Sequence, residues 1–331
     1  MTVKILKPYS YSSQGMKPNQ EDSLFPQCGE AGRETRTFIV CDGMGGHEKG
    51  EVASACVAET IGRLTEGQPL CSAEQMRGVI DNALLEAYRN LEAIDTSESE
   101  NRMGTTLAML SICADGVLTA HIGDSRVYQL REGRGVIFRT RDHSVVSDLI
   151  ASGELTEKEA KTFPHRNVIT RAIQPHQDYP DRPSYNVLTD IRKGDVFFIC
   201  CDGVVEQLED DDLCRYLLGD KPLSQRLEAV RDECRKRNTN DNNTAYLIGI
   251  EEADGMEKGK AASLPDNDSA LTADIIPVPW WKTATLWIVA SIAIVIMLTA
   301  VIFMLSGDGT KKSAKEREQR TEQVQGIIKR H

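Results

Sequence analysis

Apolar and polar positions divide the chain into three stretches of different character. The first, up to about residue 250, carries short apolar runs broken by glycine. Phe38-Ile39-Val40-Cys41 is a continuous apolar run and predicts a buried strand. It breaks at Asp42-Gly43, passes Gly45 and Gly46, and predicts a helix over 50–64. Met76, Val79, Ile80, Ala83, Leu84, Ala87 and Leu91 recur at helical spacing, which predicts a second helix over 73–93 with one buried face. Strands are predicted over 105–113 and 117–122, joined by the turn Ala114-Asp115-Gly116, with a further hairpin over 127–130 and 136–139. The run Val196 to Cys201 reads as a strand that again ends in Asp-Gly, at Asp202-Gly203. Helices over 210–218 and 224–237 and a last strand over 244–250 follow. Residues 11–23 read as a polar loop. Residues 142–182, with helical patches at 144–151 and 156–161, read as an insertion over one edge of the sheet.

The pattern then changes twice. Residues 251–279 are rich in acids, Gly, Ala, Ser and Pro and predict a flexible linker. Residues 283–305 hold no charge and are dominated by Ile, Val, Leu and Ala. As a helix such a run spans roughly 35 Å, enough for the hydrocarbon core of a bilayer. Trp280, Trp281 and Lys282 flank it as interface anchors would. A buried core helix of this length would carry a polar face, and this one has none. The tail, 306–331, is polar on all sides.

Composition narrows the function. In 331 residues, 40 % apolar and 27 % charged positions suit a globular core, and a net charge of -11 argues against nucleic acid as a partner. The cysteines number 9, with no CxxC spacing, which fits a reducing compartment and neither a disulfide framework nor a zinc site. No stretch near Met1 is apolar enough for a signal peptide.

Candidate chemistry sits where strands end. Asp42, Asp124 and Asp202 each follow an apolar run and touch a glycine; Asp241 precedes one; Glu21-Asp22 add oxygens from a loop. Strand ends gathered at one rim would bring these acids together. Clustered carboxylates repel, so they need cations, and oxygen donors suit magnesium or manganese.

The chain resembles the metal-dependent protein serine/threonine phosphatases of type 2C in their bacterial form. The matching motifs run in order: Asn19-Gln20-Glu21-Asp22-Ser23; Val40 to His47 with Gly50-Glu51 and Ala53-Ser54; Gly104-Thr105-Thr106; Ile122 to Arg126; Cys201-Asp202-Gly203; Asp241-Asn242-Asn243-Thr244. Each is weak alone; together, in this order, they are specific. The resemblance implies an α+β fold, a four-layer α/β/β/α sandwich of two antiparallel sheets flanked by helices. Here that would be a catalytic domain over 1–250, followed by the predicted transmembrane helix. It implies two Mg2+ or Mn2+ ions bridged by a water that, as hydroxide, attacks a phosphoserine or phosphothreonine phosphorus. Asp42 would bridge the ions and with Asp202 carry the catalysis. Asp202 and Asp241 would complete one ion. Glu21 and the carbonyl of Gly43 would serve the other, with Asp22 in support. A third, weaker ion would sit by Asp124, and 142–182 would be the flap beside the site.

Two positions depart from the family pattern. Lys17 stands where many relatives carry an arginine that grips the substrate phosphate, so the charge is kept and the two-point grip is lost. Met44 stands where eukaryotic relatives carry a histidine proposed as proton donor, and cannot donate. His47 is read as a helix-start contact. His121 is read as structural, His143 and His165 as surface residues at the flap, the Cys200-Cys201 pair as core packing, and Arg126 as a tie on the Asp124 loop.

Lys311, Lys312, Lys315, Arg317 and Arg320 follow the apolar run. The positive-inside rule would place that tail inside and the enzyme outside. The missing signal peptide, the cysteines and phosphoprotein substrates point the other way. The expectation is therefore a single-pass protein of the inner membrane with its catalytic domain in the cytoplasm. It would act on phosphorylated Ser/Thr proteins, opposite a membrane-associated kinase. The competing expectation is a pseudo-phosphatase scaffold that binds phosphoproteins at the membrane without turnover.

Overall fold

The computed structural model describes residues 2–45, 49–95 and 103–254. His47, the apolar run 283–305, the tail 306–331 and all but the first residues of the linker 251–279 lie outside them. Among the described residues no helix is long and apolar enough to cross a membrane.

In chain order the elements are β1 (Thr2–Ile5), β2 (Tyr9–Ser13), β3 (Ser23–Phe25), β4 (Thr37–Cys41), β5 (Gly43–Met44), α1 (Lys49–Glu66), α2 (Ala73–Ile94), β6 (Gly104–Thr105), β7 (Leu107–Cys113), β8 (Gly116–Ile122), β9 (Arg126–Arg131) and β10 (Gly135–Arg139). Then come α3 (Val145–Ala151), α4 (Glu157–Ala160), β11 (Ser184–Leu188), β12 (Val196–Cys200), α5 (Asp202–Val205), α6 (Asp210–Leu217), α7 (Leu223–Lys236) and β13 (Asn243–Asp254). One sheet runs β1-β13-β12-β9-β10, with β2 also on β13; the second runs β11-β8-β7-β4-β3; β5 and β6 form a short ribbon. The pairings are antiparallel.

Side-chain alternation shows why β4 and β7, apart from Thr37 and Ser111, are apolar on both faces. Phe38 and Val40, with Ala108, Leu110 and Ile112, face the other sheet and share a core with Val127, Phe197 and Ile248. Ile39 and Cys41, with Leu107 and Met109, face α1 and α2 and pack on Val57, Ile61, Ile80 and Leu91. A strand buried on both faces loses the polar half of its period. Helices α6 and α7 supply Leu213, Leu217, Leu227 and Val230 to the outer face of the first sheet. Ser72 caps α2 by accepting from the Gln75 amide, while the Gln75 side chain takes the Ser72 amide.

Two boundaries differ from the sequence reading. The polar loop over 11–23 begins as strand: Tyr9–Ser13 pairs with residues 243–247. Its alternation is mostly Ser and Tyr, so the pairing comes from its strongly apolar partner rather than from its own pattern. The catalytic domain does not end at residue 250, because β13 runs to Asp254, where β1 covers its far half: Lys4 pairs with Glu252 and Thr2 with Asp254. The linker is shorter by those residues. The insertion over 142–182 lies between β10 and β11 and contains α3 and α4, whose N-caps are Ser144 and Thr156.

A chain cut after Ile250 loses the ladder partners of Thr2, Val3 and Lys4. It is expected to unfold about 1–3 kcal/mol more easily in urea than a chain cut after Asp254. Equal stabilities would show that this pairing contributes nothing.

Candidate metal centre

The main chain at the end of β4 is fixed before any side chain acts. The Asp42 amide donates to Thr106 Oγ1 at 3.0 Å, and its carbonyl accepts from Thr105 Oγ1 and the Thr106 amide, both at 2.9 Å. The Gly43 amide donates to the Glu21 carbonyl at 3.1 Å, and Ser54 of α1 donates to the same carbonyl at 2.5 Å. A Cβ on Gly43 would lie 2.2 Å from the Gly50 carbonyl oxygen and 2.4 Å from that of Glu21. Only glycine lets the Glu21 loop, the end of β4 and the first turn of α1 meet this closely.

Asn242 closes the arrangement from the other sheet. Its Nδ2 donates to the carbonyls of Gln14 at 2.8 Å and Asn19 at 2.9 Å, and its Oδ1 accepts from the Glu21 amide at 2.8 Å. One buried amide side chain thus joins the loop carrying Lys17, Glu21 and Asp22 to the strand preceded by Asp241. The sequence reading assigned no role to Asn242, Thr105 or Thr106. Their placement inside matching motifs was the available signal.

The carboxyls meet on this frame. Single ligand atoms of Asp22, Asp42 and Cys201 lie within 4.8 Å of one another. Asp202 opens α5 directly after Cys201, close enough to Asp42 for the two carboxyls to affect each other's protonation. Among the described residues, both oxygens of Asp22 and Oδ1 of Asp202 are buried without a hydrogen-bond partner. Burial pushes the Asp22 carboxyl up to about 7, with the charges of Asp202 and Asp241 adding to it. Burial, then Asp202 and Asp22, lifts Asp42 well above the carboxylate range, and burial lifts Asp202 in turn. Asp124, on the turn between β8 and β9, is raised to about 8 by burial and by Asp202 and Asp142.

Lys17 is the cation among them. Its Nζ lies 2.5 Å from Asp241 Oδ1 and 3.7 Å from Glu21 Oε2. Burial works against this ammonium, but the hydrogen bond and charge of Asp241, with Asp42 and Glu21 behind it, outweigh burial and hold it charged. One lysine does not neutralise the group.

The donor set fits hard divalent cations. Carboxyl oxygens converge, several have no partner, and the one sulfur among them is a structural thiol. Cys201 is driven well above the usual thiol range by burial and the neighbouring carboxyls, and its sulfur accepts from the Thr244 amide at 3.2 Å. Orphaned, buried carboxylate oxygens are costly unless a cation takes them up.

The other end of β12 gives the contrast. Asp195, 1 % exposed, receives Arg131 through Nε at 2.7 Å and NH2 at 2.7 Å, Gln129 at 2.9 Å and the Arg192 amide at 2.9 Å. One strand therefore ends in a fully partnered buried aspartate and, at the other end, in one with an orphaned oxygen.

Two expectations about the flanking residues change. Arg126 does tie down the Asp124 turn, but its partner is Asp142 at the start of the flap, at 2.7 and 2.6 Å. His143 is not a surface residue. It is 7 % exposed and stacked on His121 with ring centres 4.5 Å apart. Burial, with His121, Arg171 and Arg141, pushes its imidazole down to about 2. His165 is exposed.

Two facing antiparallel sheets, outer helices and a carboxyl-lined rim suited to divalent cations define a metal-dependent hydrolase. The family model described as Protein phosphatase 2C matches residues 14–238, and the chain belongs to that family. Protein phosphatase PhpP of Streptococcus pneumoniae is 28% identical over 238 residues, 72% of this chain and 94% of the relative. A serine/threonine phosphatase structure from S. agalactiae superposes with a TM-score of 0.65 at 28% identity, covering 74% of this chain and 99% of the other. The catalytic domain of the phosphatase PstP, in complex with 2 manganese ions, superposes with a TM-score of 0.62 at 25% identity, over 76% of this chain and 100% of that one. The class of activity is that of a metal-dependent protein serine/threonine phosphatase.

The raised carboxyls set a pH dependence for the metal-free protein. In the unfolded chain these acids lose protons near pH 4. Folded, Asp22 and Asp124 hold theirs to about 7 and about 8. The folded state binds more protons across that window, so its stability is greatest in acid and falls as pH rises to 8. Melting in EDTA is expected to drop between pH 5 and pH 8, and millimolar Mn2+ to restore it most at the alkaline end. A metal-free melting temperature that climbs over this range would refute the electrostatic description.

Proposed function

We propose that this chain removes phosphate from serine and threonine side chains of proteins. Asp42, Asp202, Asp241, Glu21 and the Gly43 carbonyl, with Asp22 in support, would hold two divalent ions, and Asp124 with Asp202 would hold a third more weakly. When bound, such ions supply a water acidic enough to act as hydroxide near neutral pH and neutralise charge on the phosphoryl oxygens. The chain's own residues hold that arrangement rigid through Asn242 and the Thr105-Thr106 pair. Lys17 stands at the rim, where its ammonium can turn from Asp241 to a phosphoryl oxygen. Met44 supplies no proton, so the leaving oxygen is protonated from solvent on the same side. The observation that carries this reading is the set of orphaned oxygens on Asp22 and Asp202.

Residues 283–305 anchor the enzyme as one helix across the inner membrane, with the catalytic domain facing the cytoplasm. Their uncharged length and the flanking tryptophans support this. A phosphatase held there opposes a membrane-associated Ser/Thr kinase. The rival reading, a scaffold that binds phosphoproteins without turnover, draws on the Lys17–Asp241 ion pair, which turns the ammonium away from a phosphate.

Hydrolysis of an aryl phosphate by the full chain separates the two. Activity is expected with Mn2+, none with EDTA, and a loss of roughly 10^2–10^3-fold or more in Asp202→Ala. Turnover that survives both chelation and this substitution would overturn the mechanism; no turnover with Mn2+ would favour the scaffold. Replacing Lys17 by arginine restores a two-point grip and is expected to tighten inhibition by inorganic phosphate several-fold. An unchanged inhibition constant would remove Lys17 from the phosphate site.

A further inference from the structure

The flap and the Asp124 turn are joined through one side chain. The His143 amide donates to the Gly123 carbonyl at 2.9 Å, and the Gly123 amide donates back to His143 Nδ1 at 3.2 Å. The His143 carbonyl accepts from the Thr170 amide, on the returning stem of the flap, at 2.8 Å. Its Nε2 lies 2.9 Å from Ser184 Oγ at the start of β11. An Nδ1 that accepts carries no proton, so Nε2 carries it toward Ser184 Oγ, and Arg171 NH1, 3.4 Å from that nitrogen, has Ser184 Oγ as its acceptor at 3.5 Å.

The surrounding contacts leave little slack. Asp142, next to His143, takes two guanidinium bonds from Arg126, two residues beyond Asp124, whose third goes to the Tyr128 hydroxyl. Gly123 has φ +97°, and a Cβ there would meet Thr106 Cγ2 at 2.7 Å. The returning stem continues to Ile173, which exchanges both main-chain bonds with Thr105, at 3.0 and 2.9 Å. Thr105 in turn holds the Asp42 carbonyl. The outgoing stem of the flap is therefore bonded to the residue before Asp124, and the returning stem to Thr105, whose hydroxyl holds the Asp42 carbonyl.

We propose that His143 is a positioning residue that couples the flap base to the Asp124 turn, so that ordering one orders the other. A histidine serving only as core filler would need burial and satisfied nitrogens. Here the ring acceptor takes the one amide next to Asp124, and the main chain of the same residue holds the flap's return. The consequence for catalysis rests on the reading of Asp124 as a metal position; the coupling itself does not.

Asparagine and glutamine separate the two ring contacts. Asn places its Oδ1 near where Nδ1 lies and can still accept from Gly123. Gln reaches toward Ser184 and cannot. Amide hydrogen exchange on the full, metal-free chain reads the coupling. In His143→Ala, exchange over 121–127 and 168–173 is expected to rise together, roughly tenfold to a hundredfold, with α2 unchanged. His143→Asn should restore protection of the Gly123 amide, and His143→Gln should not. Independent responses of the two segments, equal rescue by Gln, or a matching loss of protection in α2 would each overturn the proposal. A second arm adds Mn2+. It is expected to protect 168–173 in the wild-type chain and to lose that effect in His143→Ala, as reciprocal coupling requires. Protection that persists in His143→Ala would overturn the coupling. If Mn2+ protects neither segment of the wild-type chain, the metal reading of Asp124 fails, and the metal-free exchange data alone decide the coupling.

Discussion

Carboxylates crowded into a buried rim repel one another, and removal from water raises the cost of each charge. The rest of this structure is arranged around that stress. Asp42, Asp202 and Asp22 come from three different segments, and each is lifted above the ordinary carboxylate range by burial and by the others. Left to relax, such side chains would turn outward or keep their protons. They converge because the main chain beneath them is held by Asn242, Thr105, Thr106 and Ser54, none of which carries charge. Neutral hydrogen bonds can fix backbone without supplying the counter-charge that cations are meant to bring.

Asp195 and Asp202, at opposite ends of β12, show that the orphaned oxygens are a local choice. The same strand, in the same core, delivers a carboxylate clasped by Arg131, Gln129 and the Arg192 amide and another with an oxygen that has no hydrogen-bond partner among the described residues. Removing one partner from the first would strand a buried charge. The second is suited to completion by a cation. Binding energy at this rim therefore also stabilises the fold.

What could be read from the residues alone was set by how local each signal is. Strands β4 and β12 announce themselves through apolar runs, because each is buried on both faces, and Asp42 and Asp202 follow at their ends. Asp241 is marked by the strand it precedes, whereas Glu21 and Asp22 lie in a polar stretch with no periodicity, and family resemblance rather than pattern gives them their roles. The edge strands β1, β2 and β11 were not legible. Their side chains are half-exposed, and they are strands because β13 and β8 offer them partners. His143 was misplaced for a related reason. It sits in a polar segment, and its burial comes from His121 on a different strand and Ser184 forty-one residues later. Asn242 looks like one of two adjacent asparagines, and its task appears only when three distant carbonyl and amide groups close around it.

Lys17 shows how one residue can answer two demands at the same rim. Arginine offers a planar fork that suits a phosphate, but a fork needs two aligned acceptors. Lysine offers a compact charge on a flexible stem, and here that charge settles between Asp241 and Glu21. Those acids belong, in the proposed arrangement, to different ions. A cation tethered between them offsets part of the repulsion when the rim is otherwise bare, and in the proposed arrangement it would be released toward solvent and substrate once other cations take its place. On that proposal a weaker grip on phosphate and a better balance of the bare rim would follow from the same ammonium, and the departure from the family pattern would be a shift in where the charge is used rather than its loss.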